Sequence, residues 1–381
     1  MVQRVAIVTE SFLPQLNGVT GSVVRVLETL KQRELEAIVI APTSQSPKHL
    51  GYEVITTPSF SLLQFPVGVP NPAVAKILDD FAPDVLHVAA PFLLGAQALS
   101  WGQKTGTASV AVYQTDVAGY LERYNLHYAK PVMERILAKI HSLATLNLVP
   151  SKQSASYLSE LGVGDLAIWG RGVDSDLFSP RLRTQAQTIE LRGKLAPGAE
   201  LVVGFVGRLA QEKQVDRMAE LFGLPGVRFV VVGDGPERER LERLFAGHPV
   251  TFMGALSGIE LARAYATFDA FTHFGTEETF GQTIQEAKSM GLAVVAPDCG
   301  GPRELIQHGR TGLLVDHARP GAYREAVESL LDQERREALG VGAIESVQGK
   351  SWRDNNEQLL RHYRTAHSKL HAVRAEQLEL A

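Results

Sequence analysis

Leu201-Val202-Val203-Gly204-Phe205-Val206-Gly207-Arg208-Leu209-Ala210-Gln211-Glu212-Lys213 passes from an unbroken apolar run into a glycine-led loop that carries two cations. The first six residues are too uniformly apolar to alternate, which predicts a strand buried on both faces of a parallel sheet. The same theme opens the chain. Arg4–Val8 is a short β-branched run, a loop containing Pro14 leads to Gly18, and Val23, Val26, Leu27 and Leu30 then recur at helical spacing. Further strand-like runs fall at 37–41, 85–88, 110–113 and 146–149, and after Leu201 at 229–232, 250–252, 270–273, 293–296 and 312–315. Between the two series, residues 171–200 are polar, carry Pro180 and Pro197 and lack periodicity, as a linker does. The reading is α/β: two Rossmann-like, doubly wound parallel-sheet domains, 1–170 and 201–354, joined by a linker at 171–200 and facing each other across a cleft. Helical stretches at 321–340 and about 351–378 close the chain.

Composition excludes several classes. The 381 residues hold 38 Lys and Arg against 42 Asp and Glu, a net of −4, too balanced for a chain whose main task is neutralising nucleic-acid phosphates. Cys299 is the sole cysteine, so neither an intramolecular disulfide nor a cysteine-rich zinc site can form, and a reducing compartment is expected. Glu10 interrupts the first apolar run too soon for a signal peptide, and no 18 apolar residues follow one another. The expectation is a cytoplasmic protein whose contact with a membrane is peripheral.

In doubly wound sheets ligands bind beyond the carboxyl ends of strands. The loop Ser11–Ser22 has neither the Gly-x-Gly-x-x-Gly of a dinucleotide site nor the Gly-Lys-Ser/Thr of a P-loop, which counts against an oxidoreductase. Gly18 at a helix mouth is either a backbone approach to a phosphate or a plain cap. Arg208 and Lys213 flank one post-strand loop, as fixed cations for a diphosphate leaving group or as solvated charges. Glu278 and Glu286, eight residues apart, suit the hydroxyls at two ends of a sugar nucleotide, although acidic residues also favour helix N-termini. His87 and His273 lie at strand ends with no carboxylate in sequence to pair with them, so both read as packing residues, and Cys299 reads as a small residue without a partner histidine. Asp174-Ser175-Asp176 reads as a turn, and no Asp-x-Asp follows a strand, so no metal site is expected. Residues 120–141 carry Arg123, Lys130, Arg135 and Lys139 against Glu122 and Glu134, interleaved with Tyr120, Tyr124, Tyr128 and Ile136; such a helix lies on an anionic membrane or simply covers a sheet. The apolar loop 60–70 is a second candidate for lipid contact, or for lining the acceptor pocket.

The ordered set Pro14–Gly18, Gly204–Arg208 with Lys213, Val232-Gly233-Asp234-Gly235-Pro236, Glu278 and Glu286 around Phe280-Gly281, and Gly300-Gly301-Pro302-Arg303-Glu304-Leu305 resembles the family 4 retaining glycosyltransferases of the two-domain GT-B fold, over nearly the whole chain. Glu10–Pro14, Val112–Val117 and Trp169–Asp174 are similar to an actinobacterial branch that transfers mannose from GDP-mannose to a glucuronosyl diacylglycerol. The resemblance implies that Gly18 admits the donor diphosphate, that Arg208 and Lys213 hold it, and that Glu278, with the backbone of Phe280, Gly281 and Gln282, binds the transferred sugar. It implies further that Glu286 binds the ribose, that the base lies along Met253 to Leu256, and that the helix from about 355 to 381 returns to the first domain. Gln114 stands where many members have a histidine, which makes Asp116 the polar contact to donor sugar or acceptor and, with Arg208, Lys213 and Glu278, part of the catalytic set. Implied partners are a nucleotide-sugar donor, a glycolipid acceptor and the inner face of an anionic plasma membrane, with no nucleic acid, cofactor or metal. Alternatives are a relative using a phosphatidylinositol mannoside or a UDP-sugar, or a sugar-nucleotide epimerase of the same fold.

Overall fold

The computed structural model describes residues 2–15, 17–62, 65–115 and 127–379. They form two compact units: one of the residues up to 171 together with those from 352 onward, the other of Gly172–Ser351.

The first unit contains strands β1 (Arg4–Thr9), β2 (Glu36–Ala41), β3 (Lys48–His49), β4 (Tyr52–Thr56), β5 (Ser59–Leu62), β6 (Phe65–Gly68), β7 (Val85–Ala89), β8 (Ala108–Val112), β9 (Leu146–Val149) and β10 (Leu166–Ile168). Eight of them make one sheet in the order β10-β9-β8-β7-β1-β2-β4-β3, parallel except where β3 meets β4. Successive side chains serve opposite cores. Val5 and Ile7 join Val39, Val110 and Leu148 on one face, while Ala6 and Val8 join Ile38 and Val88 on the other. Covering both faces explains why the strands do not alternate in polarity. Helix Gly18–Gln32 contributes Val23, Val26, Leu27 and Leu30 to the first of these cores, and helix Trp352–Glu379 contributes Leu359, Leu360 and Tyr363. The latter helix is fastened by Tyr363 Oη to His87 Nδ1 at 2.8 Å, and by Asn356 Nδ2, which donates to Arg25 O and Thr29 Oγ1 at 2.9 Å each. Glu10, one residue past β1, accepts N–H bonds from Phe92, Leu94 and Gly95 at 3.2, 2.8 and 3.1 Å, and from Gly68 at 3.1 Å. Its carboxylate thus caps helix Leu93–Thr105 and pins β6 beside it.

The second unit has β11 (Leu201–Val206), β12 (Val227–Val232), β13 (Val250–Gly254), β14 (Ala270–Thr272), β15 (Ala293–Pro297) and β16 (Leu313–Val315), all parallel, in the order β13-β12-β11-β14-β15-β16. Leu201, Val203 and Phe205 face one core and Val202 and Val206 the other.

Three expectations change. Residues 171–200 are not a linker: Val173, Phe178, Leu182 and Ala196 belong to the second unit's core, in a segment that also includes a 3-10 turn at Pro180–Thr184 and a helix at Ala186–Leu195. These apolar residues sit singly in irregular backbone, so neither a 3.6- nor a 2-residue period shows them. The unit boundaries accordingly fall after 171 and after 351, not at 200 and 354. The apolar segment 60–70 is largely the hairpin β5–β6, with Ser59 paired to Gly68 and Phe60 to Val67.

Leu182, only 7% exposed, separates the two readings of 171–200. Leu182→Ala should lower the stability of the second unit by about 2–4 kcal/mol, read from urea unfolding, whereas a linker residue would leave it unchanged.

Candidate functional site

The chain's winding in the second unit reverses between β11 and β14, which lie side by side. Ligands of doubly wound sheets bind at such a reversal, and the loops leaving these two strands hold the charged residues singled out above. After β11 the chain turns at Gly207 and is braced by the Gly233-Asp234-Gly235 loop: Leu209 N–H donates to Asp234 O, and Glu237 N–H to Leu209 O, both at 2.9 Å. It then winds into the 3-10 turn Gln211–Lys213. This winding folds Arg208 onto the carboxylate of Glu212, a residue only 2% exposed, while Lys213 Nζ donates to Glu278 Oε2 at 2.6 Å across from the β14 loop.

Glu278 is held by its backbone as well. Gly301 N–H donates to Glu278 O at 2.7 Å, and a Cβ at Gly301 would stand 2.3 Å from Phe280 O, so only glycine lets this segment lie against the loop. Gly281, at φ 103°, turns the chain into helix Gln282–Ser289. Burial favours the neutral Glu278 carboxyl, but the Lys213 ammonium, the His273 ring and the Phe280 N–H outweigh it and hold the carboxyl at about 2. Along that helix Gln282 Nε2 reaches Glu286 Oε1 at 3.5 Å and also donates to Gly172 O at 3.1 Å. Tyr265 Oη donates to Glu286 Oε2 at 2.9 Å. Met253 and Leu256 pack against the core that also contains Tyr265 and Ile284. The two carboxylates, both cations and the segment expected to meet the base therefore belong to one unit.

Gly18 belongs to the other unit. It is the first residue of its helix, behind Asn17, whose Oδ1 accepts from Val19 and Thr20 N–H at 3.0 Å each. Those two donors are thus already capped. A Cβ at Gly18 would project into open space, so no protein packing demands glycine there. Asp116 lies outside the described residues. Gln114, two residues before it, accepts from Arg171 Nη2 at 2.5 Å. Arg171 is buried over the Trp169 ring at 4.8 Å, and burial lowers its guanidinium to about 10.

One of the two histidines, and the cysteine, differ from their expectation. His87 is a packing residue, bonded to Tyr363. His273 does meet a carboxylate: its Nε2 lies 3.9 Å from Glu278 Oε2. Cys299 Sγ has a histidine neighbour, His317 Nδ1, at 3.9 Å. Glu278 follows His273 in the same post-β14 loop, whereas Cys299 and His317 follow the neighbouring strands β15 and β16. Asp174 makes the expected turn, accepting from Leu177 N–H at 3.1 Å. Sequence reading missed Glu212 and Tyr265. The four-residue spacing from Arg208 to Glu212 was a usable signal, while nothing in sequence links Tyr265 to Glu286.

A pair of doubly wound units, with cations and carboxylates at the winding reversal of one, defines a glycosyltransferase of the GT-B class. Residues 16–177 match the family model Glycosyltransferase Family 4, and residues 187–345 match Glycosyl transferases group 1. The chain is 41% identical, over 94% of its length and 88% of the relative's, to a GDP-mannose-dependent alpha-mannosyltransferase of Corynebacterium glutamicum. It is 42% identical to a protein of the same name from Mycobacterium tuberculosis, over 94% of its length and 96% of the relative's. The sucrose-phosphate synthase of Thermosynechococcus elongatus superposes with a TM-score of 0.79 at 21% identity, covering 96% of this chain and 99% of that one, which supports the fold. The chain belongs to glycosyltransferase family 4.

The Lys213–Glu278 pair has a pH signature. Glu278 titrates at about 2 when folded against an ordinary 4.5, so its contribution to stability is complete above about 4.5 and drains away as pH falls toward 2. Lys213→Met should raise the folded carboxyl and shrink the fall in the urea midpoint between pH 6 and pH 3, measured against the parent chain.

Proposed function

We propose that this enzyme transfers an α-mannosyl residue from GDP-mannose, with retention, to a membrane glycolipid, glucuronosyl diacylglycerol, at the cytoplasmic face of the plasma membrane. The donor reading is carried by Arg208 and Lys213 on the β11 loop opposite Glu278, together with identities of 41% and 42% to proteins named for GDP-mannose and mannosyl transfer.

The bond from the sugar's anomeric carbon to the β-phosphate oxygen breaks, and a bond to the acceptor oxygen forms on the same face. The acceptor proton passes to the departing phosphate, so neither a protein nucleophile nor a metal is called on. Negative charge grows on that phosphate as the bond lengthens, and Arg208 and Lys213 are fixed cations placed to offset it. Glu278, ionised at any working pH, accepts from hydroxyls of the sugar, and Glu286, oriented by Tyr265 and Gln282, accepts from those of the ribose.

The lipid reading is supported by the first unit. Tyr128, Val132 and Ile136 are 71%, 55% and 40% exposed at four-residue intervals leading along helix Lys130–His141, with Arg135 and Lys139 exposed beside them. Glu134, the acid of this helix, accepts from Tyr157 Oη at 3.2 Å. An apolar stripe flanked by cations suits the headgroup region of an anionic bilayer. Among the described residues no helix is long and apolar enough to cross a membrane.

Incubation with GDP-mannose and glucuronosyl diacylglycerol should release GDP in proportion to mannosylated lipid, undiminished by EDTA; isomerised donor without release would instead indicate an epimerase. Arg208→Ala and Lys213→Ala should each lower turnover by about 10²–10³, the usual cost of losing one group that stabilises a developing anion. In a separate assay the chain should sediment with anionic vesicles and not with neutral ones, and Val132→Asp with Ile136→Asp should abolish this while leaving turnover on a detergent-dispersed acceptor intact.

A further inference from the structure

His273 follows β14 directly, at the winding reversal, and its ring is 2% exposed. Among the described residues neither ring nitrogen has a hydrogen-bond partner of good geometry, although the Gly275 backbone lies close enough to favour the charged ring. The other fully buried histidines differ, since His87 bonds Tyr363 and His141 bonds Asn147 through Nδ1, both at 2.8 Å. An unpaired buried polar group costs about 1–3 kcal/mol, and the exceptions in native structures concentrate where function needs them. The backbone of His273 is fixed on both sides, its N–H donating to Val295 O at 2.9 Å and its carbonyl accepting from Tyr323 Oη at 3.1 Å. The ring therefore stands where the sheet puts it, with Nε2 3.9 Å from Glu278 Oε2.

That oxygen is the one Lys213 occupies. On the function proposed above, on which this inference rests, Lys213 is needed at the donor's diphosphate, and once its ammonium turns there Glu278 loses its 2.6 Å partner. We propose that His273 is the positioning residue that takes over: in the donor-bound enzyme its Nε2–H donates to Glu278 and holds the carboxylate on the sugar's hydroxyls. Closing 3.9 Å to hydrogen-bond length needs a movement of about 1 Å, within the reach of a carboxylate rotation. A neutral donor is what the task requires. A cation would draw the carboxylate into a second ion pair and away from the sugar, whereas an imidazole N–H orients one oxygen and leaves the other lone pairs free. Burial lowers the ring to about 4; the Lys213 charge acts in the same direction, against the opposing influence of Glu278 and the Gly275 backbone.

The test compares His273→Phe, which keeps shape but no donor, with His273→Gln, whose amide N–H reaches the position of Nε2. With GDP-mannose, His273→Phe should lose about tenfold in kcat/KM, the factor one ordinary hydrogen bond carries. Its affinity for GDP should stay within twofold of the parent's, because the lost contact concerns the sugar. Its thermal midpoint should not fall, since an orphaned polar group is removed, and His273→Gln should recover most of the lost turnover. Parent-like kcat/KM in His273→Phe overturns the proposal. So does a parallel loss of GDP affinity, or a failure of His273→Gln to recover any turnover, either of which makes the residue one of packing alone. A parent chain that binds GDP yet turns over no GDP-mannose overturns the donor reading instead, and the His273 series is then measured with whichever nucleotide sugar the chain does turn over.

Discussion

The contact between Lys213 Nζ and Glu278 Oε2 ties together loops from β11 and β14, the strands between which the second unit reverses its winding. Two opposite charges are held there at low exposure, and Coulomb attraction under such screening is strong enough to keep the carboxyl ionised against its burial. Much of the surrounding structure serves that geometry. The Gly233–Gly235 loop braces the strand that delivers Arg208 and Lys213, and the Gly300-Gly301 turn lies on the backbone that delivers Glu278. Glu212 anchors the second cation from below. Both cations are thus held by carboxylates, which the diphosphate of the proposed donor would replace.

The two units treat their winding reversals differently. In the second, the reversal is lined with groups whose charges face one another across two loops. In the first, β1 and β7 lie side by side and the helix that follows β7 already has its N-terminal donors filled by Glu10, an anion supplied by the chain itself. The residues proposed to bind the donor are consequently concentrated in the second unit, and the first contributes an exposed apolar and basic helix face instead.

Much of this was legible in the sequence, and the limits have physical causes. Every central strand announces itself as an unalternating apolar run because both faces of its sheet are covered, so β1, β2, β7 to β9 and β11 to β16 could be placed within a few residues. The short peripheral strands lack that signature: β3 and β4 carry exposed polar residues, and β10 is only the three residues Leu166–Ile168. Arg208, Lys213 and Glu278 were visible as charges on post-strand loops, and Glu286 as a carboxylate in the helix that follows one of them. Their actual partners were harder to see: Glu212 and His273 lie four and five residues from Arg208 and Glu278, in irregular segments whose turns decide which side chains meet, and Tyr265 reaches Glu286 only through the packing of two helices. The stretch 171–200 was misread because its four core residues are scattered through turns, where burial leaves no period.

The bridge between Val173 and Ser351, with Val173 N–H donating to Lys350 O at 2.9 Å, has a consequence for how the chain assembles. Among the described residues the second unit is an uninterrupted stretch whose two ends meet, while the first unit is drawn from both sides of it. Helix Trp352–Glu379 must therefore find a sheet completed 180 residues earlier, counting Gly172 through Ser351. Closing a flexible loop of that length costs roughly 4–5 kcal/mol of chain entropy. A second unit that has already folded brings residues 172 and 351 together beforehand, and the helix then docks as though the intervening chain were a short turn. The order of folding is in this way written into the crossing of the backbone: the inserted unit acts as the clasp that lets its host close.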